Sequence, residues 1–133
     1  MPTDFQTMTL PTDPTVSAPD GSDVRVLLGL AGGGMAHFEL AAGQTARAVV
    51  HRTVEEIWYV VAGRGQMWRR AGEHEAFTEL TPGVCLTIPL GTHFQFRAAA
   101  DQPVSAVAIT MPPWPGADEA VWVAGPWTPS VPG

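Results

Sequence analysis

His51 and Glu56 are the two side chains of this 133-residue chain whose type and spacing point most directly to chemistry. They lie in the stretch VVHRTVEEIWYVV, Val49 to Val61, between runs that are otherwise apolar and β-branched. An imidazole beside a carboxylate can ligate a metal ion, move a proton, or form a buried hydrogen bond. Strand alternation decides whether the two meet. Arg47, Val49 and His51 share one face of a strand, and Glu56, Trp58 and Val60 share one face of the next. The short connection Arg52 to Glu55 then brings His51 and Glu56 together at the turn end of a hairpin, with Glu55 on the opposite side.

The elements that must hold this pair are short and regular. Strand-like segments run over 23–30, 35–40, 46–52, 55–61, 66–70, 74–80, 84–88, 94–98 and 104–111, separated by turn residues such as Ala42-Gly43, Ala62-Gly63, Ala71-Gly72 and Pro82-Gly83. No sustained helical period interrupts them. This predicts an all-β sandwich or barrel with few or no helices. Residues 1–22, rich in Thr, Pro, Asp and Ser, read as a flexible N-terminal arm, and 23–111 as the barrel. Residues 112–133, with Trp114, Trp122 and Trp127 among prolines, read as a tail packing on the barrel or on a partner subunit.

Two interval patterns resemble the cupin family. Gly43, a place held by Val49, His51, Glu56 and Gly63 fall at the spacing of the first cupin motif. Gly83, Pro89 and Gly91 fall at the spacing of the second, with Phe94 in its His place and Ala98 in its Asn place. The likeness spans roughly residues 35–111. It implies a double-stranded β-helix, or jelly-roll barrel, often dimeric. In many such proteins a divalent metal is held by three His and one Glu. Here Val49 and Phe94 occupy two of the four ligand places, and neither can bind metal. His93, His37 and Gln95 are the candidates for a third ligand beside His51 and Glu56. The metal reading is one divalent transition ion (Fe, Mn, Ni or Zn), and the opposing reading is none. The interval from Pro89 favours Phe94 facing inward, which turns His93 away.

Arg47, Val49, Trp58, Val60, Phe94 and Phe96 are the expected lining of an apolar pocket with a few polar groups, the usual build of a small-molecule site. Two functions follow. One is a metal-dependent enzyme of oxygenase or isomerase type, acting through His51 and Glu56 on a small apolar or carboxylated molecule. The other is a metal-free, non-catalytic binder or sensor. A metal-free acid–base pair, with Glu56 orienting His51 and raising its pKa, is a further option.

Other chemistries are excluded or unsupported. The seven cations are all arginine, so Schiff-base lysines and P-loops are absent. A net charge of −6 without basic clusters argues against nucleic acid and anionic membranes. The glycines at 32–34 form a turn without GxGxxG spacing, and His74 in GEHEAF lacks the second His of HExxH. Cys85, the single cysteine, sits in VCLTI and is expected as a buried structural thiol. With no long apolar run and no leader-like start, a cytoplasmic location is the default, and a homodimer is the expected assembly.

Overall fold

The computed structural model describes residues 4–131. Residues 1–3 of the expected arm and 132–133 of the expected tail lie outside the described residues. The strands are β1 (Val16–Ser17), β2 (Asp23–Leu30), β3 (Gly33–Leu40), β4 (Val49–His51), β5 (Glu55–Gly63), β6 (Gly65–Ala71), β7 (His74–Leu80), β8 (Cys85–Ile88), β9 (His93–Ala98), β10 (Val104–Met111) and β11 (Ala120–Trp122). Among the described residues the one helical element is a 3-10 turn, Ala117–Glu119. Two sheets face each other: a six-stranded one in the order β1-β2-β3-β10-β5-β8, and a five-stranded one in the order β11-β4-β9-β6-β7. Strand pairs within both are antiparallel.

Strand alternation builds the interior. Along the first six residues of β5, Glu56, Trp58 and Val60 are buried while Glu55, Ile57 and Tyr59 are exposed. On the facing sheet Phe94 and Phe96 of β9 point inward. Trp58 packs parallel on Phe38 at 5.1 Å between ring centroids and edge-on to Phe96 at 5.0 Å. Each such side chain contributes about 1.5–3 kcal/mol by leaving water, so this aromatic wedge carries much of the sandwich.

The turn glycines are not equivalent. Gly63 has φ +78°, and a Cβ there would sit 1.8 Å from the Pro103 carbonyl oxygen. Two backbones cross at that point, and only hydrogen fits between them.

Three boundaries differ from the sequence reading. The segment expected as a strand over 46–52 pairs as β4 only over Val49–His51. Upstream, the amide of Arg47 is instead taken by the Asp20 carbonyl and the Ala48 carbonyl by the Val123 amide. The turn expected at glycines 32–34 lies a little earlier, because Gly33 and Gly34 open β3. Residues placed in the arm and the tail also enter the sheets, Val16–Ser17 beside β2 and Ala120–Trp122 beside β4. Cys85 is a correction: Leu86 and Ile88 of β8 take the inward positions, so alternation puts the thiol outside, exposed.

Candidate functional site

One end of the sandwich is hollow. A cavity of about 520 Å³ opens between the sheets, walled by Phe38, Val49, Trp58 and Phe94 and carrying His51 and Glu56. Its roof comes from the two segments that flank the main strands. Residues 16–20 cover one side, and Pro113, Trp114, Gly116 and Ala117 the other. Trp122 of β11, just past the second roof segment, donates from Nε1 to the Pro19 carbonyl at 2.9 Å and so ties the first segment down.

Glu56 reaches the cavity because it precedes Trp58 by two residues on β5 and shares its face. Trp58 Nε1 donates to Glu56 Oε1 at 2.7 Å. His51 arrives from β4 and stands edge-on between Phe94, at 5.1 Å, and Trp114, at 5.0 Å. Its Nδ1 is 3.9 Å from Glu56 Oε2, too far for a hydrogen bond, and is buried without a partner.

Burial sets the protonation states. It pushes Glu56 up to about 7; the Trp58 hydrogen bond opposes the rise and the nearby Asp20 carboxyl adds to it. Burial pushes His51 down to about 4, against a pull upward from Glu119. Between those values both groups are uncharged. The expectation that Glu56 raises the pKa of His51 is therefore corrected: the carboxyl is itself neutral, and desolvation of the imidazole dominates.

The remaining residues singled out in the sequence divide by strand parity and by depth along the sandwich. Val49, Trp58 and Phe94 line the cavity, whereas Val60 and Phe96 lie deeper in the packed core. Arg47 does not line it; its guanidinium stacks 4.2 Å over the Trp122 ring at the rim. His93 faces out, with Nδ1 3.3 Å from Arg70. Gln95 also faces out, under the tail. Its Nε2 donates to the carbonyls of Ala46 and Trp127, and its Oε1 accepts from the Trp127 amide. His37 is on the outer face of β3, opposite Arg25 and Val107. The three proposed third ligands thus lie on outer faces, away from His51 and Glu56.

Two residues of the site, Asp20 and Glu119, were not picked out in the sequence, and a third, Trp114, was read there as part of the packing tail. Asp20 is buried and lines the cavity, with Oδ1 accepting from the Ser22 amide at 3.0 Å and hydroxyl at 2.6 Å. Burial raises its pKa, and the two Ser22 bonds offset this only in part. The signal was the PDGSD turn, whose Asp-x-Ser pattern favours such a loop. Glu119 binds the connection between β4 and β5, accepting from the Thr53 amide and hydroxyl and the Val54 amide at 2.6, 2.6 and 2.9 Å. Burial pushes its carboxyl up, but those bonds outweigh burial and hold it below the usual range. Trp114 contributes the ring that closes His51 from outside.

These residues do not fit the metal centre that the motif spacing implies. Val49 and Phe94 fill two ligand places with hydrocarbon, and Glu56 Oε1 is committed to Trp58. Among the described residues no three His, Cys, Asp or Glu side chains are grouped to hold an ion. Catalytic metals typically need three protein ligands.

Residues 36–110 match the family model described as Cupin domain, and the chain belongs to that family. A comparison with curated proteins finds no match. Among solved structures, a cupin protein from Bacteroides fragilis is 28% identical with a TM-score of 0.62, over 82% of this chain and 85% of that one. The capsular polysaccharide assembling protein CapF from Staphylococcus aureus is 14% identical, TM-score 0.68, over 78% of this chain and 32% of that one. Bacillus subtilis oxalate decarboxylase, in a deletion mutant, is 16% identical, TM-score 0.68, over 84% and 30%. This chain therefore spans about a third of the length of the last two, and they share its fold alone. Among the described residues, no helix is long and apolar enough to cross a membrane.

Proposed function

We propose that this cupin is a metal-free small-molecule binder whose ligand is largely apolar. The observation that carries this is the roofed cavity of about 520 Å³, within the usual range for ligand sites, with aromatic walls and two expected ligand places filled by Val49 and Phe94. Metal-dependent turnover loses its support at that donor set. A carboxylated ligand is disfavoured as well, because no arginine is among the cavity's described lining residues, while two carboxyl groups are.

The test has two arms. Metal analysis of protein purified without added metal gives substoichiometric metal that does not change in His51→Ala. Methylnaphthalene, followed by NMR shifts, binds saturably, and Ala36→Trp, which grows a ring into the cavity wall, abolishes it. Stoichiometric metal lost on His51→Ala, or no saturable binding, overturns the reading.

We further propose a homodimer. Ile57, Tyr59, Val61 and Ile109 on the outer face of the six-stranded sheet are exposed, as are Phe5, Met8 and Leu10 of the arm. A second copy is the occupant that suits this exposed apolar patch on a chain of net charge −6, the charged groups of the same outer face including Glu55 at the end of β5 and the mutually paired Arg25 and Glu39.

A further inference from the structure

The cavity holds two acids and no cation, an arrangement the apolar-binder reading alone leaves unexplained. Glu56, with a side chain 2% exposed, enters from β5, and Asp20 from the roof. The titratable groups that face the space are Asp20, His51 and Glu56. The chain has no lysine, and its rim arginine, Arg47, is engaged by Trp122.

The hydrogen bonds to the two carboxyls fall on one oxygen each. Trp58 binds Oε1 of Glu56, and Ser22 binds Oδ1 of Asp20. His51 Nδ1 is buried without a partner beside Glu56. Burying a carboxyl in an apolar space is costly unless something compensates it. A protonated carboxyl meets that cost by staying neutral, while a cationic ligand meets it by pairing. The walls suit the second case, since Phe38, Trp58, Phe94 and Trp114 present aromatic rings to the same space. Aromatic surfaces attract ammonium groups through the negative faces of their rings, most strongly when water is excluded.

We propose that the cavity accepts an organic ammonium ion with an apolar body, its nitrogen beside Asp20 and Glu56 and its body against the aromatic walls. This rests on the reading of the cavity as a ligand site and names the class of ligand. It also gives Asp20, which lies outside the family-matched segment, a share in specificity.

The test is calorimetry at neutral pH with the full chain and four ligands of one shape: naphthylmethylamine, naphthylmethanol, naphthoate and methylnaphthalene. The amine is expected to bind about tenfold or more tighter than the alcohol. Glu56→Gln keeps an acceptor for Trp58, and Asp20→Asn keeps one for Ser22. Each is expected to erase most of the amine preference, read as the ratio of amine to alcohol affinity in the same protein. Equal or tighter binding of the alcohol or the naphthoate overturns the proposal, as does an amine preference that survives in both variants. Methylnaphthalene separates the two failures. If it binds but the amine gains nothing, the cation proposal alone falls; if none of the four binds, the ligand-site reading falls with it.

Discussion

Trp58 donates its indole N–H to the carboxyl of Glu56, two residues earlier on the same strand, at 2.7 Å. One strand face thus supplies both an indole of the cavity wall and the carboxyl that this ring anchors. Trp58→Phe keeps an aromatic surface against Phe38 but deletes the donor. The bond lowers the Glu56 pKa, so its loss is expected to move the titration upward from about 7. Stability should fall by roughly 1–2 kcal/mol from the lost bond and the reduced packing. Carboxyl carbon NMR shifts against pH, with urea unfolding, measure both; an unchanged or lowered midpoint would count against the anchoring role.

Stability against pH follows from the opposed shifts of Glu56 and His51. Glu56, raised from 4.5 to about 7, holds its proton longer folded than unfolded, so it costs stability as pH rises through that interval. His51, lowered from 6.5 to about 4, costs stability as pH falls through its own. Between about 4.5 and 6.5 each state carries one proton on this pair, on Glu56 when folded and on His51 when unfolded, and their contribution is flat. Above 6.5 the Glu56 penalty appears alone, and below 4.5 the His51 penalty does. Glu56→Gln should remove the decline on the alkaline side, which spans about half a pH unit and amounts to roughly 0.7 kcal/mol, and should leave stability rising with pH up to about 6.5 through His51 alone. Chemical denaturation over a pH series reads this directly, and a variant that declines as the parent does would refute the assignment.

The motif glycines should separate into two classes. Gly63→Ala places a methyl on the Pro103 carbonyl and holds Ala in a left-handed conformation, so unfolding or a loss above about 4 kcal/mol is expected. Gly91, at φ +85° with open space around it, carries only the conformational penalty, and Gly91→Ala should cost about 1 kcal/mol. Equal losses in urea melts would mean that the close crossing at Gly63 has no special weight.

The dimer proposal is read from mass. Light scattering should return twice the 14.1 kDa chain mass, and Tyr59→Arg with Ile109→Asp should return a single chain with unchanged unfolding behaviour. Both positions point outward, so the substitutions leave the core untouched. A parent protein that stays monomeric across the concentration range tested would end the proposal.

The barrel was legible because strand alternation and turn glycines are local signals. Gly43, Gly63, Gly83 and Gly91 all adopt positive φ, and the parity that placed Phe94 inward from its interval after Pro89 describes β9 as observed. Parity also separates Gln95 and His93 from the interior. It does not reveal what closes an open end. Asp20 and Trp114 lie in segments without periodicity, and their places depend on long-range bonds, such as Arg47 N–H to the Asp20 carbonyl and Trp122 to Pro19. The environment of His51 was misread for the same reason. Its protonation depends on how thoroughly distant residues exclude water, and no spacing between His51 and Glu56 encodes that.

The roof lies on both sides of the family-matched segment, residues 16–20 before it and 113–117 after it. A chain trimmed to that segment would lose the cover, β2 behind it, and one of the two acids. Engineering a new occupant for this vessel would accordingly begin at residues 18–20 and 113–117, which cover the opening outside the strands.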